Sequence, residues 1–170
     1  MAQVTADALE RARRLRLMLF DVDGVLTDGR LWYGPGGEAL KAFHVLDGHG
    51  VKLLQQGGIA AGILSGRSSS AVALRAAELG VAHVLQGIED KRPAFDGLLA
   101  RLGLQAAEAG YMGDDLPDLP VLARCGLACA PRSAHAEVRR GAHYVADAEG
   151  GCGAVREVCD YVLRAQGRRP

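Results

Sequence analysis

Five acidic residues follow two apolar stretches of the chain. LRLMLF (15–20) runs directly into the first two acids, and YMG (111–113) runs into the others. The five are Asp21, Asp23, Asp114, Asp115 and Asp118. Carboxylates that lie close together repel one another unless a hard cation such as Mg²⁺ holds them. A carboxylate can also attack phosphorus and form an aspartyl phosphate. The spacing therefore predicts a magnesium-dependent site for phosphoryl chemistry.

A hydroxyl, an ammonium group and backbone amides complete the candidate site. The segment SGR (65–67) follows another apolar run, and Lys91 stands at the start of a later predicted helix. A serine hydroxyl, a lysine and free amides can surround a dianionic phosphoryl group. Asp23 lies two residues after Asp21, so the two side chains point to the same side of an extended segment. We therefore predict that Asp21 is the nucleophile and that Asp23 is the acid and base.

Alternating apolar runs and amphipathic segments would position these residues. The predicted strands cover residues 15–23, 59–65, 83–86, 109–113, 127–130 and 143–146. The main predicted helices cover residues 5–14, 49–56, 69–80, 93–103, 116–126 and 154–166. This alternation predicts the α/β class, with a Rossmann-like parallel sheet and helices on both faces. Ligands of such sheets bind outside the carboxyl ends of the strands, which is where the candidate residues fall.

The segment RLWYGPGGEALKAFHV (30–45) predicts a β-hairpin insertion with its turn at GPGG (34–37). A lone hairpin is marginally stable in water, and exposed apolar patches commonly mark interfaces. We therefore predict that copies of the chain assemble through this hairpin, with packing on the chain's own sheet as the alternative. The apolar residues concerned are Leu31, Trp32, Tyr33, Leu40 and Phe43.

Length and charge limit the function classes. The chain has 170 residues, which suits a single domain over residues 1–170. Acidic and basic residues balance at 20 each, so no net field recruits nucleic acid or an anionic membrane. No apolar run approaches the roughly 20 residues that span a bilayer, and no signal-peptide core is present, so the cytoplasm is expected. The four cysteines fit no tetrahedral zinc spacing and are expected to be ordinary thiols.

Other interpretations explain parts of the pattern but not all of it. A single acid at a strand end is usually a helix cap, and a single lysine is usually a surface residue. DVDGVLTDG (21–29) fails as an EF-hand loop because its glycine stands at the fourth position. Response-regulator receivers carry an acidic pair first and the phosphate-accepting aspartate in mid-chain. The order here is different, so the whole set favours a phosphatase.

The same residues resemble the four motifs of the haloacid dehalogenase superfamily. They are Asp21-x-Asp23, Ser65-Gly66-Arg67, Lys91 and Gly113-Asp114-Asp115-x-x-Asp118. Three longer segments (26–54, 111–122 and 150–167) are similar to the 3-deoxy-D-manno-octulosonate 8-phosphate phosphatase family. This resemblance implies a capless fold and hydrolysis of a sugar-acid phosphate of lipopolysaccharide biosynthesis. It also implies a tetramer in which the C-terminal tail (150–170) covers a neighbour's site after a flexible hinge at 150–153.

The resemblance also assigns roles to individual residues. It implies that Mg²⁺ is held by Asp21, by the carbonyl of Asp23 and by Asp114, with Asp115 and Asp118 supporting these ligands. It implies that phosphate is held by Gly24, Ser65, Gly66 and Lys91. The residues expected to face the rest of the substrate are Thr27, Asp28, Arg67, Arg75 and Arg156.

Two departures from the family pattern bear on the substrate. Cys152 stands where the family usually has Arg or Lys, and Leu46 stands where many members have Arg. Two alternatives therefore remain beside the favoured reaction. One is a phosphatase for a nine-carbon sugar-acid phosphate. The other is a non-catalytic module of the same fold with a regulatory or oligomerising role.

Overall fold

The computed structural model describes residues 2–168. Within that range the strands are β1 (Gln3–Val4), β2 (Leu17–Phe20), β3 (Trp32–Gly34), β4 (Gly37–Leu40), β5 (Ala60–Leu64), β6 (His83–Leu85), β7 (Ala109–Met112), β8 (Leu127–Ala130) and β9 (Tyr144–Val145). The helices are α1 (Ala8–Arg13), α2 (Val45–Gln56), α3 (Ser70–Leu79), α4 (Lys91–Leu102), α5 (Leu119–Leu122), α6 (Ala136–Gly141) and α7 (Ala154–Ala165). No helix of this range has the length and apolar character needed to cross a membrane.

A twisted sheet with the order β1-β9-β8-β7-β2-β5-β6 forms the centre of the described chain. All neighbouring pairs are parallel except β1 with β9, which are antiparallel. β2 lies between β5 and β7, so the chain winds outward from β2 in both directions. In such sheets the crevice at the point of reversal is the usual ligand site. The predicted α/β class with a parallel sheet is confirmed.

Helices cover both faces of the sheet, and the side chains of β2 show why. Met18 and Phe20 face one apolar cluster, which includes buried residues of α1, α2, α3 and α7. Leu17 and Leu19 face a second cluster, built with α4, α5 and α6. Both faces of a central parallel strand are thus apolar, as its continuous hydrophobic run predicts.

Several element ends differ from the sequence prediction. The short edge strand β1 was not predicted, and α2 begins at Val45 rather than at residue 49. The predicted helix 116–126 is a 3₁₀ turn (Leu116–Asp118) followed by the short helix α5. α4 begins at Lys91, where the Asp90 carboxylate accepts from the Arg92 amide at 3.3 Å. Pro93 therefore stands inside the first turn, where its missing amide costs no helical hydrogen bond.

The predicted hairpin is present but shorter than its segment. β3 and β4 pair in an antiparallel register that brings Gly34 opposite Gly37, so Pro35 and Gly36 form the turn. Residues 41–44 then lead into α2 without regular structure. Phe43 is half-buried and packs against the core, whereas Trp32 and Tyr33 remain exposed.

Candidate active site

A tight loop carries the acids that follow β2, and we call residues 21–28 the nucleophile loop. The Asp21 amide donates to the Met112 carbonyl of β7 at 2.9 Å, which extends the sheet by one residue. The loop then makes one wide helical turn, closed by a hydrogen bond from the Thr27 amide to the Val22 carbonyl at 3.0 Å. Gly24 has a φ of +85°, and a Cβ there would lie 2.0 Å from Asp114 Oδ2. Only glycine fits this position, for both backbone and steric reasons.

The carboxyl ends of β2, β5 and β7 surround a cavity of about 490 Å³. It lies at the predicted edge of the sheet, and most of the predicted residues meet there. The predicted residues that line it are Asp21, Asp23, Ser65, Gly66, Arg67, Lys91, Asp114, Asp115 and Asp118. Gly29, Ile88, Glu89 and Pro117 complete its wall.

Asp21, Lys91, Tyr111 and Asp118 form a buried network that we call the inner cluster. Lys91 Nζ lies 3.0 Å from Asp21 Oδ2 and 2.7 Å from Asp118 Oδ1. The Tyr111 hydroxyl donates to Asp118 Oδ1 at 2.6 Å. Asp118 Oδ2 accepts from the amides of Asp114 and Asp115 at 2.9 and 3.1 Å. Asp118 is 1% exposed, so its charge is stabilised by these donors rather than by water.

Burial changes the proton affinities of this cluster. It raises the pKa of Asp21 to about 6, helped by the Asp118 carboxylate and opposed by the Lys91 ammonium. Burial, together with the carboxylates of Asp21 and Asp118, raises the pKa of Asp114 to about 8. Burial by itself would lower the pKa of Lys91, but the same two carboxylates outweigh it and raise the pKa. Lys91 is therefore a permanent cation in the site.

The donor set fits a hard divalent cation. Carboxylate oxygens of Asp21, Asp114 and Asp118 all lie within 4.8 Å of one another. Burial, followed by the neighbouring carboxylates of Asp21 and Asp118, raises the pKa of Asp114, and a bound cation would favour its charged form. The oxygens of Asp118 already accept hydrogen bonds from side chains and amides, whereas Asp21 and Asp114 border the cavity. Oxygen-only ligands of this kind suit Mg²⁺.

A second group of charges lies at the mouth of the cavity, and we call Asp23, Glu38, Lys41 and Arg67 the outer cluster. Lys41 Nζ donates to Asp23 Oδ1 and lies 3.1 Å from Glu38 Oε2. Arg67 Nε lies 3.4 Å from Asp23 Oδ2, and its Nη2 lies 3.3 Å from Glu38 Oε2. The hairpin supplies Glu38, and Lys41 follows it directly, so the insertion reaches the predicted acid/base residue in the same chain.

Three further predicted residues belong to the nucleophile loop but do not line the cavity. Thr27 is buried, and its hydroxyl donates to the Val22 carbonyl at 3.3 Å and accepts from the Gly29 amide at 3.2 Å. Gly24 has no side chain, and this leaves room for the carboxylate of Asp114. Asp28 is exposed and accepts from the Arg30 amide at 3.0 Å. Their contacts shape the loop, and none of the three faces the cavity.

Two predicted arginines are not brought to the cavity of their own chain. Arg75 lies on α3, where its guanidinium covers Gly48 of α2 and pairs with Glu78 at 3.2 Å. Arg156 lies on α7 and pairs with Asp160 at 2.7 Å. A contact of either arginine with substrate would require the cavity of another subunit.

Sequence reasoning missed three residues of the two clusters, Glu38, Lys41 and Tyr111. The chain has three lysines, and Lys41 follows a hairpin that otherwise looks apolar. A lysine whose side chain is 2% exposed must have a charged partner, but nothing in the sequence names Asp23 as that partner. Tyr111 looked like an ordinary apolar strand residue, and only its depth in the sheet turns its hydroxyl toward Asp118.

None of the four cysteines lines the cavity. Cys125, Cys129 and Cys159 are buried among apolar side chains, and Cys152 is exposed. The cluster of metal-binding side chains that the described residues form contains carboxylates alone.

The fold and the site together define a hydrolase of the haloacid dehalogenase superfamily. No protein-family model matches the chain. Comparison with curated proteins finds the 3-deoxy-D-manno-octulosonate 8-phosphate phosphatase KdsC of Yersinia pestis. The two are 46% identical over 163 residues, which cover 96% of this chain and 87% of that protein. The chain belongs to the 3-deoxy-D-manno-octulosonate 8-phosphate phosphatase family.

Solved structures agree with this assignment. The phosphatase from Moraxella catarrhalis, in complex with magnesium, phosphate and KDO, is 40% identical and has a TM-score of 0.93. The alignment covers 96% of this chain and 94% of that one. The cobalt-bound phosphatase from Haemophilus influenzae is 41% identical, with a TM-score of 0.90 and 92% of both chains covered.

Proposed function

We propose that this chain hydrolyses 3-deoxy-D-manno-octulosonate 8-phosphate to the free sugar acid and phosphate. The observation that carries the proposal is the buried pairing of Asp21 with Lys91 at the edge of a cavity that also receives Asp23 and Asp114. An isolated carboxylate is a poor nucleophile toward a dianion, because like charges repel. Lys91 and a cation between the carboxylates would offset that repulsion. The relative with bound phosphate and KDO supports the same substrate.

The first step is attack of an Asp21 carboxylate oxygen on phosphorus. A bond forms between Asp21 and phosphorus, the bond from phosphorus to the sugar oxygen breaks, and an aspartyl phosphate remains. The Asp23 carboxyl gives its proton to the departing sugar oxygen. In the second step Asp23 takes a proton from water as the water attacks phosphorus, which frees Asp21 and releases phosphate. Asp21 and Asp23 thus regain their starting states.

The remaining cavity residues hold the phosphoryl group during both steps. Lys91 stays protonated, so it provides a fixed positive charge beside the reacting oxygens. The Ser65 hydroxyl and the amide of Gly66 provide hydrogen-bond donors. Gly24, predicted as a phosphate ligand, acts through the loop, since its amide donates to the Thr27 hydroxyl at 3.4 Å. A set of fixed donors costs little reorganisation when charge develops in the transition state.

Mg²⁺ is the cofactor of this proposal. The carboxylates of Asp21 and Asp114 and the carbonyl of Asp23 would hold it, while Asp115 and Asp118 fix the loop that carries Asp114. When bound, the ion neutralises the substrate phosphate and polarises its oxygens. Activity should disappear in excess chelator and return with Mg²⁺. Full activity after rigorous metal removal would contradict the proposal.

Recognition of the sugar acid is assigned to the mouth of the cavity. Arg67 lines the mouth and is the cation of this chain best placed to meet the substrate carboxylate. Thr27 and Asp28 act through the loop that they stabilise. We propose that Arg75 and Arg156 act on a neighbouring subunit if they meet substrate at all, since each lies away from its own cavity.

The proposal includes a single domain over residues 1–170 that forms a homotetramer. Apolar side chains of the hairpin and of the start of α2 are exposed, which supports an interface between copies. They are Leu31, Trp32, Tyr33, Leu40, Val45 and Leu46. Leu46 thus adds to an apolar surface where many family members carry a charge. Light scattering of the purified protein tests this, and a stable active monomer would refute it.

The proposal also places the reaction in the cytoplasm, within lipopolysaccharide biosynthesis. Its support is chemical: all four cysteines are free thiols, which suits a reducing compartment. No contact of the described residues suggests nucleic acid or a membrane as a partner.

Phosphate release across a panel of sugar phosphates is the decisive experiment. The eight-carbon sugar-acid phosphate should give the highest kcat/KM, a nine-carbon sugar-acid phosphate a lower value, and neutral hexose phosphates far lower values. A higher kcat/KM for the nine-carbon substrate would transfer the assignment to that reaction. Absence of phosphate release from every substrate would favour the non-catalytic module.

A further inference from the structure

The segment that precedes α7 packs directly against the nucleophile loop of its own chain, and we call residues 149–153 the tail junction. The Gly151 amide donates to the Val25 carbonyl at 2.9 Å. A Cβ at Gly150 would lie 1.8 Å from the Gly24 carbonyl oxygen, and a Cβ at Gly151 would lie 2.5 Å from the Asp28 amide. These glycines allow the two backbones to come into contact, and the hinge at 150–153 stays a prediction.

The other end of the tail junction is held by a buried carboxylate. Asp47, near the start of α2, is 1% exposed. Its Oδ2 accepts from the Gly153 amide at 3.2 Å and its Oδ1 accepts from the Arg156 amide at 2.9 Å. Gly153 directly precedes α7 and Arg156 lies in its first turn, where free amides attract negative charge. Asp47 therefore fixes the point at which the tail junction enters α7.

Gly24 is confined from two sides as a result. A Cβ at Gly24 would lie 2.0 Å from the Asp114 carboxylate. The carbonyl oxygen of Gly24 faces Gly150. A displacement of Gly150 would therefore move the peptide between Gly24 and Val25, which holds the Gly24 carbonyl. The Gly24 Cα links that peptide to the preceding one, whose carbonyl is that of Asp23 and is assigned to the metal in the proposed function. The Asp114 carboxylate packs beside the same Cα, in the space that a Cβ would fill.

We infer that Gly150 and Asp47 are positioning residues for the phosphatase reaction. Asp47 fixes the tail junction, and Gly150 in turn fixes the position of Gly24 beside the Asp114 carboxylate. The inference rests on the proposed function for its meaning in catalysis. This role differs from that of a lid. A lid would contact the sugar of the substrate, whereas the tail junction affects the position of the residues that take part in the reaction. Removal of the chain after residue 148 would not test it, because α7 contributes buried core residues.

Gly150→Ala is the direct test, with Gly141→Ala as the matched control. Neither glycine has a positive φ, so alanine is conformationally allowed at both. A Cβ at Gly141 meets nothing within 4 Å. For Gly150→Ala we expect kcat to fall by roughly 10²-fold on both the sugar-acid phosphate and p-nitrophenyl phosphate, with KM nearly unchanged. Calorimetric titration without substrate should show Mg²⁺ affinity reduced by roughly tenfold. Gly141→Ala should stay within about twofold of wild type.

Asp47→Asn provides an independent test that does not depend on the folding of Gly150→Ala. It keeps the shape of the side chain but places an amide N–H against a backbone donor. We expect a loss of kcat of roughly tenfold on both esters, again with little change in KM. If Gly150→Ala does not fold, by circular dichroism, this variant decides alone.

Three results would overturn the inference. The first is kcat and Mg²⁺ affinity within twofold of wild type in the folded variants. The second is a loss of activity that only follows a lower Tm and recovers on cooling. The third is an effect confined to KM for the sugar-acid phosphate, which would indicate a lid. Failure of the proposed function can be distinguished from failure of this inference. In the former case wild type would release phosphate from neither ester, and the Mg²⁺ affinity of the variants would still test the positioning role.

Discussion

The inner and outer clusters place a buried lysine beside a catalytic carboxylate, but by different means. The inner cluster is built from the ends of β2 and β7 and the first residue of α4, all parts of the main sheet and its helices. The outer cluster depends on Lys41, which the hairpin insertion carries to Asp23. In the inner cluster Lys91 is 4% exposed and every partner is buried. In the outer cluster the arginine is 43% exposed.

The difference in burial between the two clusters shows how an inserted hairpin can add a charged residue to a site that the main sheet forms. The inner charges satisfy one another in a dry environment, where each lost partner leaves an uncompensated charge. In the outer cluster Lys41 is also buried, at 2% exposed, but Asp23 and Glu38 are 21% and 17% exposed and both also pair with the exposed Arg67. Loss of Lys41 would therefore leave its partners with a second cation and partial access to water. We therefore expect the inner cluster to control both folding and chemistry, and the outer cluster to control chemistry and substrate access.

The largest effect is expected for Asp21→Asn. The variant keeps the shape of the side chain but lacks the anionic nucleophile, so turnover should fall by at least ~10⁴-fold. Because Asp21 is buried beside Asp118, removal of its charge should leave the chain folded. Phosphate release and circular dichroism measure the two outcomes, and near-normal turnover would refute the mechanism.

Lys91→Met should cost both activity and stability. The substitution leaves Asp21 and Asp118 buried without their common cation, which should lower the free energy of unfolding by about 3 kcal/mol. Loss of the fixed charge beside the phosphoryl group should reduce kcat by roughly 10³-fold. Denaturant titration and steady-state kinetics are the measurements. Lys52→Met, an exposed position on α2, is the control and should change neither.

Lys41→Met makes the same chemical change in the outer cluster, so it tests the comparison directly. Asp23 would lose the donor that orients it, and kcat should fall by roughly 10-fold to 10²-fold. The free energy of unfolding should fall by less than about 2 kcal/mol, because Asp23 and Glu38 still pair with Arg67 and their side chains are partly exposed. A loss of stability equal to that of Lys91→Met would remove the distinction between the clusters.

The smallest effect is a pH dependence of stability in the metal-free protein. The pKa of Asp21 is raised to about 6 and that of Asp114 to about 8, from an ordinary 3.8. The folded state therefore binds protons that the unfolded chain has already lost, and the free energy of unfolding should fall as pH rises through this range. In chelator, Tm should decrease between pH 5 and pH 8, less so in Asp114→Asn. Mg²⁺ should raise Tm most at the higher pH. A flat profile in wild type would show that folding does not raise the pKa values of Asp21 and Asp114.

The sequence was informative wherever a strand end supplied the functional group. Asp21, Ser65 and Asp114 each follow a buried apolar run, and parallel strands necessarily bring such positions to one edge. Strand ends could not position Arg75 and Arg156, which lie on helices away from the cavity of their own chain. The glycines of the tail junction predicted a hinge and gave no sign of the close backbone contact that the structure shows.

The sequence alone predicts the parallel sheet, the edge that carries the site and most of the cavity residues, because apolar runs and their order along the chain are properties of the sequence. Three contacts depend on the tertiary structure: Lys41 with Asp23, Tyr111 with Asp118, and Gly150 with Gly24. Each of these contacts joins residues whose partner is set by packing and loop geometry. Charge and steric fit act through space, and the spacing of residues along a chain does not record those distances.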